Sequence, residues 1–592
     1  MAAELGHLAR AAATILSLLI FHVAPYDSRA QARVAGGTGT CISRERDALL
    51  SFKASLLCHL SSWDGEDCCQ WEGVQCSSRT GHVIKLNLLN TRDYDNSLSL
   101  SKDELSSSLA ALQQLRYLDL SGNDFAGASI PVFMGSLEKL RYLDLSSSGF
   151  RGIILSQLGN LSHLKYLDVF GGISNDPHVV DLAWLSLNLS LVRDWVYMVN
   201  MLSSLRVLRL EDCGFTSTMS TTLKSNLTRL QVLDLSANLF NTSLEHNRFW
   251  DLTSLKEFHL FSGDWHGPIP EKLGNMTSLE VIDLSENHHV GLIPSNLENL
   301  CNLEVLHFND NWYMNMTIGE FMNRLSTCSW STIQVLSVVD TSLTGKLPIW
   351  IGNMTSLSIL SIGRNMITGT VPLGVGELGN LTVLDLSYNK LDVVLTKDHF
   401  SGLLKLGNLD LSDNSLKMDT EPNWVPPFKL KYLDLQSCSV GHRFPQWLRS
   451  QTDIDYLVLG NTSLDDVIPD WFWVTFSRDL VLDASRNMLH GSLPTNLQHM
   501  SASIIYLGSN KLTGQVPRLS PINISHMDMS SNSLGSLPAE LKAPQLAVLL
   551  LENNQIIGTI SSSLCQLTSL GRLDLSGNNL TGDVIQCSVQ AL

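Results

Sequence analysis

Apolar residues in this chain recur in one phrase: leucine, a polar residue, leucine, two further small or polar residues, then asparagine. It reads LDLSGN at Leu118–Asn123, LDLSAN at Leu233–Asn238, IDLSEN at Ile282–Asn287, LDLSYN at Leu384–Asn389, LDLSDN at Leu409–Asn414 and LDLSGN at Leu573–Asn578. Successive phrases lie about 24 residues apart: Ile282 to Leu306, Leu336 to Leu360, Leu360 to Leu384 and Leu409 to Leu433 are each 24. Alternation predicts a short strand with its two leucines on one side and the residues between and beside them on the other. So short a strand cannot bury its leucines alone. A fixed period instead predicts stacked turns that share one core and hold each other by neighbour contacts. About twenty turns fit between Leu86 and Leu592, and strand spacing gives an arc on the order of 100 Å.

This period and placement of Leu and Asn mark leucine-rich repeats. The expected fold is an α/β solenoid: a right-handed leucine-rich-repeat superhelix with a parallel β-sheet on the concave face, over residues 83–592. The repeat Asn begins the return loop, where its amide can pair backbone groups otherwise buried without partners. Cys213 and Cys438 stand in that place in their turns and read as buried free thiols. Many turns continue as L-x-G-x-[ILV]-P, as in Leu343-Thr-Gly345-Lys-Leu347-Pro348. Gly and Pro there suit a second short extended segment on the flank, a form that resembles the plant-specific class of repeat. Leu167 to Leu208 spans 41 residues where two turns need about 48, so a shortened turn around Leu187 is expected.

Composition adds bounds. At 592 residues, with 44% apolar and 16% charged, the chain is a folded protein with a large core. A net charge of −17 argues against nonspecific nucleic-acid binding, so no nucleic-acid partner is expected. Residues 1–32 read as a secretory signal: Arg10 precedes the apolar stretch Ala11–Ala24, and Ala30-Gln31-Ala32 is a small-x-small cleavage pattern. That stretch is too short to span a bilayer. Cys41, Cys68, Cys69 and Cys76 cluster just before the first repeat, over residues 33–82, where a solenoid needs a cap and an exported protein can use disulfides. Zinc would call for paired C-x-x-C spacing, which this cluster lacks. Cys301 and Cys328 flank a 30-residue turn from Leu306 to Leu336. Cys565 and Cys587 are about one turn apart and could lie side by side; Cys58 has no evident partner. Eleven N-x-S/T acceptors occur, at Asn160, Asn188, Asn226, Asn241, Asn275, Asn315, Asn353, Asn380, Asn461, Asn523 and Asn579. Their recurrence as N-[LM]-[ST] ahead of a strand would put glycans on one flank.

The segment before the repeats carries a specific likeness. Glu45, Arg46, Ala48, Leu49, Leu50, Phe52 and Lys53 follow Cys41; then come Leu60-Ser-Ser-Trp63, Asp67-Cys68-Cys69-Gln-Trp71-Glu-Gly73-Val74-Gln-Cys76 and Thr80-Gly81-His82-Val83. It resembles the N-terminal cap of plant leucine-rich-repeat receptors, in which Cys41 would pair with Cys68 and Cys69 with Cys76. The spacing of Ala48, Leu49, Phe52 and Leu56 predicts a capping helix. Leu300-Cys301-Asn302-Leu303-Glu304, Glu320-Phe321-Met322, Cys328-Ser-Trp330 and the stretch from Trp184 to Trp195 resemble the large receptor-like proteins of plants. That group includes the Cf-type resistance proteins and the receptors for fungal ethylene-inducing xylanase. The resemblance implies an extracellular ectodomain that perceives a pathogen molecule or elicitor and signals through adaptor and co-receptor kinases. Ligands would be proteins, peptides or glycans. Family ectodomains continue into more repeats, a C-terminal cap and one membrane helix, whereas this sequence stops at Leu592. The expectation is a fragment, a truncated product or a secreted short form, reaching the plasma membrane if a longer form exists. Other readings are a secreted inhibitor of microbial cell-wall-degrading enzymes and a developmental peptide receptor.

No cofactor, metal or catalytic centre is expected. Gly374-Val-Gly376-Glu-Leu-Gly379 matches a dinucleotide fingerprint but follows Pro372 and precedes a repeat strand, not the βαβ context the chemistry needs. His288-His289 has no third metal ligand in view and reads as a solvated pair. The residue between the leucines is usually Asp (Asp119, Asp144, Asp168, Asp234, Asp283, Asp385, Asp410, Asp434, Asp574), which reads as a solvated acidic row. Arg209, His259 and His307 replace it; Phe170, Glu211 and Phe261 stand two positions on, then Asn309. These seven residues are the candidate ligand contacts, since aromatics and Arg on a polar face favour recognition. Tyr117, Tyr142 and Tyr166 form a second row beside the leucine strands.

Overall fold

The computed structural model describes residues 40–582 apart from 57–59, 61, 91–104, 126, 151–155, 171–194, 216–225, 312–313, 326, 422, 477–479, 498–499, 520–523 and 561. The leader, Cys58, Asn188, Asn523 and Cys587 lie outside the described residues.

Among the described residues one sheet holds 21 strands. The first, Val74–Cys76, pairs antiparallel with Val83–Asn87 and belongs to the cap. From there every strand of this sheet pairs parallel with the next in chain order, the inward leucine or its apolar substitute beside its counterpart: Leu86 with Leu118, Leu118 with Leu143, Leu233 with Phe258, Ile505 with Met527, and so on to Leu549 with Leu573. Most of these strands are three residues long because the repeat Asn turns the chain away at once. Asn287 shows how. Its Nδ2 donates to the carbonyls of Leu260, Leu284 and Ser285, while its Oδ1 accepts from the backbone of Gly263 and Trp265 in the preceding turn. One buried amide thus pairs five backbone groups across two turns. The residue before it, Glu286, is held at φ 51°.

Opposite the strands run short 3-10 turns such as Glu271–Asn275, Ile349–Asn353 and Leu373–Glu377. The expected second extended segments form small parallel sheets on the flank, for example Thr344–Gly345, Met366–Gly369 and Lys390–Leu391. The Gly374–Gly379 motif belongs to the 3-10 layer. A Cβ on Gly376 would sit 2.6 Å from the Asp398 carbonyl, so its glycine lets stacked turns touch backbone to backbone.

One expectation is corrected. Leu167 pairs directly with Leu208, so the two are neighbours in this sheet. The 41-residue interval is one enlarged turn, not two with one shortened. Helix Trp195–Met201 brings the chain back beside the 3-10 turn Ser156–Asn160.

The cap is built around helix Ser43–Lys53, which buries Ala48, Leu49 and Phe52. Leu56 is buried just beyond the helix end. Glu45 is buried too; its carboxylate accepts from Val83 N at 2.7 Å and lies 2.8 Å from His82 Nδ1, tying helix to first repeat strand. Disulfides join Cys41 to Cys68, Cys69 to Cys76, and Cys301 to Cys328. Cys565 is disulfide-bonded, and Cys213 and Cys438 are buried free thiols.

Candidate ligand-recognition face

Much of the acidic row on the strand face is not solvated. Asp119, Asp144, Asp168, Asp283 and Asp434 are buried, as are Asp483 and Asp528 further along, whereas Asp234, Asp385, Asp410 and Asp574 are half-buried. The reason is local. In L-D-L-S the carboxylate folds back onto the backbone: Asp119 Oδ1 accepts from Ser121 N at 3.1 Å and Ser121 Oγ at 2.6 Å, and Asp144, Asp385 and Asp410 repeat the pattern with Ser146, Ser387 and Ser412. Asp and Ser recur together because they cap the strand end as a pair. The arrangement is costly, since carboxylates one strand apart repel in a poorly solvated row. Burial, then the neighbouring Asp144, pushes Asp168 up to about 7; burial, then Asp385, does the same to Asp410.

The three departures from Asp answer this cost. In register across the sheet the row runs Asp168, Arg209, Asp234, His259, Asp283, His307, Ser337. Basic and acidic side chains alternate. Arg209 Nη1 lies 3.8 Å from Asp168 Oδ2 and donates to Tyr166 Oη at 3.3 Å. His259 Nε2 is 3.7 Å from Glu257 Oε2. Burial opposes its charge, but Glu257, Asp234 and Asp283 outweigh burial, and its pKa rises above the usual histidine value. His307 closes the series beside Ser337; burial wins there and its pKa falls. Both histidines are buried, so neither presents its ring to solvent; His259 balances charge, whereas His307 interrupts the run of carboxylates as a neutral ring.

The remaining candidates divide. Phe170, Glu211 and Phe261 are half-buried on the strand face, two residues after Asp168, Arg209 and His259. Burial, with Asp234 and Asp168 nearby, pushes the Glu211 carboxyl up to about 8. Asn309 is a brace: its Oδ1 accepts from Ser337 Oγ at 2.8 Å and Val339 N at 2.9 Å. The tyrosine row is a stack. Tyr117, Tyr142 and Tyr166 lie with ring centroids 4.2 Å apart, and each hydroxyl donates to the Asp of its own strand at 2.9, 3.0 and 3.1 Å. Lys85 Nζ covers one end, 4.1 Å from the Tyr117 ring, and Arg209 closes the other.

One row escaped the sequence reading. The residue just before the repeat Asn position takes a left-handed conformation in turn after turn, as at Asp212, Glu286, Asp310, Asp340, Arg364, Tyr388 and Asp413. Arg364 lies 4.5 Å from the centroid of the exposed Tyr388 ring. The signal was the variable letter in L-S-x-N, which carries charge in turn after turn.

A twenty-turn strand face of this kind defines a leucine-rich-repeat solenoid. The leucine-rich repeat N-terminal domain model matches residues 42–77, the leucine-rich repeat region model 217–465, and the single-repeat model 114–137 and 139–161. Receptor-like protein EIX1 of Solanum lycopersicum is 32% identical over 83% of this chain and 56% of its own length; Receptor-like protein EIX2 is 32% identical over 92% and 60%. The chain thus spans little more than half the length of these relatives. Among solved structures, the Arabidopsis receptor kinase HAESA in complex with the peptide hormone IDA and the co-receptor SERK1 superposes with a TM-score of 0.65 at 25% identity, covering 91% of this chain and 90% of that one. The chain belongs to the leucine-rich-repeat receptor-like proteins of plants. Among the described residues no helix is long and apolar enough to cross a membrane.

Proposed function

We propose that this chain is the extracellular recognition portion of a plant receptor, binding a protein or peptide ligand noncovalently on its strand face and acting in pathogen or elicitor perception. The observation that carries this is the group Phe170, Glu211 and Phe261, set half-buried above the alternating row from Asp168 to His307. Aromatic rings beside a carboxyl held near neutrality offer both apolar contact and a switchable charge. Export is supported by the disulfides. Nine sequon asparagines, all but Asn188 and Asn523, lie exposed in the described residues. Asn160, Asn275, Asn353 and Asn380 sit at or just past the 3-10 turns; N-glycans there leave the strand face clear. Signalling would pass through adaptor and co-receptor kinases, and a glycan ligand is a narrower variant of the same reading. A developmental peptide receptor is the second reading, favoured by the likeness to the HAESA ectodomain.

The test is ligand capture by the immobilised chain from fungal culture filtrate and, separately, from plant extracellular peptides. The triple variant Phe170→Ala, Glu211→Ala, Phe261→Ala serves as comparison. A ligand held by the parent and lost by a variant of unchanged melting temperature supports the proposal, and its source decides between the two readings. Equal capture by both proteins overturns it.

A further inference from the structure

The residues that lead into the strands of the main sheet form a row of their own. Backbone hydrogen bonds set its members side by side. Arg141 N donates to the Arg116 carbonyl, Lys165 N to that of Arg141 and Arg206 N to that of Lys165, each at 2.8 Å; Gln231 N follows on Arg206 at 2.7 Å. Consecutive turns of the sheet thus carry a cation at the same place, immediately before Tyr117, Tyr142, Tyr166 and Val207. All four side chains are exposed. Among the described residues none of them has an ion-pair or side-chain hydrogen-bond partner. The loops entering the same turns add exposed Lys139 and His163, with Glu138 as the acidic exception. Past Gln231 the row changes character: Lys256 pairs with Glu280, and Glu304 follows, its carboxylate accepting from Gln334 Nε2 at 3.1 Å.

Like charges directly opposite on neighbouring strands are destabilising, and here four of one sign follow each other at strand spacing, about 4.8 Å. The chain has 57 acidic residues against 40 basic ones, so carboxylates to break up the run are plentiful, yet none meets it. An external anion would relieve the repulsion. To meet every cation it must be long and carry charge at short, regular intervals. Side chains on one face of an extended peptide stand about 6.6 Å apart, out of step with the row. A chain of uronic-acid sugars is stiff and bears one carboxylate on every ring. Three of the four cations are Arg, whose planar fork matches a carboxylate in two parallel hydrogen bonds.

We propose that Arg116, Arg141, Lys165 and Arg206 form a docking ladder for an extracellular acidic polysaccharide of the polyuronate class, distinct from the group Phe170, Glu211 and Phe261. The probe is a size-defined oligogalacturonate, titrated into the full chain in calcium-free buffer and followed by calorimetry. Saturable binding is expected, weakening by roughly tenfold or more as ionic strength rises from about 0.01 to 0.15 M. The same oligomer with every carboxyl methyl-esterified is expected not to bind. Replacing the four cations together by Ser should weaken binding by roughly tenfold or more at an unchanged melting temperature. The charge-matched variant Lys272→Ser, Lys390→Ser, Lys417→Ser, Lys511→Ser should keep binding, as should the triple variant Phe170→Ala, Glu211→Ala, Phe261→Ala. Absence of saturable binding to the parent, equal losses in the two charge variants, or polyglutamate of the same charge binding as tightly would each overturn the proposal.

Discussion

Arg209 stands directly beside Asp168 on the next strand, its Nη1 3.8 Å from the carboxylate, with Asp234 on its other side. This one side chain stands between two carboxylates that lie on the strands either side of it. Arg209→Ala is therefore expected to destabilise the fold by about 1–3 kcal/mol near neutral pH, the usual range for stranding a largely buried charge partner. The loss should shrink at pH 5, where Asp168, raised to about 7, is protonated. Denaturant titration at both pH values checks this; equal losses would count against the charge-spacing role.

The carboxyl row gives stability a pH sign. Asp168 and Asp410 rise to about 7 and Glu211 to about 8. Folded groups above their ordinary values hold protons that the unfolded chain releases, so their contribution is full below about pH 4 and is lost as pH rises through 7 and 8. His289, His307 and His399 are depressed by burial and act oppositely, losing stability as pH falls from about 6.5. Three raised carboxyls, joined by Asp144 and Asp434 in the same direction, outweigh these three histidines. The melting temperature should be higher at pH 5.5 than at pH 8, and Asp410→Asn should narrow the gap. A higher value at pH 8 would reject the sign.

Asn287 is expected to be the costlier kind of position. Replacing it with Ala strands the five backbone groups its amide pairs. The cost should be about 2–4 kcal/mol, above a single net hydrogen bond because the orphaned groups stay buried. Hydrogen exchange should quicken in strands Glu257–His259 and Val281–Asp283 first. A loss under about 1 kcal/mol would mean the loop re-pairs without the amide.

Cys301–Cys328 closes a sequence separation of 27 residues around helix Ile318–Arg324. Converting both cysteines to Ser is expected to cost about 2–4 kcal/mol and to speed exchange in that helix. The cap disulfides should be unaffected. Unchanged exchange there would show that the Thr317–Glu320 capping box suffices.

The period of Leu118, Leu143 and Leu167 and the repeat Asn made the solenoid legible, because each turn repeats one packing problem. The cap was legible through its resemblance, down to the partners of Cys41 and Cys69. The face was read less well. Asp119 looked solvated because a lone Asp gives no hint that Ser121 folds it inward. Arg209, His259 and His307 stood out by type, yet their alternation with Asp234 and Asp283 emerges only once strands are set in register. The interval from Leu167 to Leu208 misled because length alone cannot tell a short turn from a long insertion. The pair His288-His289 was read as solvated, but only His288 is exposed and His289 is buried: two adjacent histidines suggest one environment, whereas neighbouring strand residues face opposite ways.

The assignment of the strand face as the ligand surface is tested most directly by hydrogen exchange of the chain with and without its captured ligand. Protection is expected in peptides spanning Tyr166–Phe170, Val207–Asp212, Glu257–Phe261 and Val305–Asn309. Protection confined to the 3-10 turns, such as Glu271–Asn275 and Ile349–Asn353, with those strands unchanged, would contradict it.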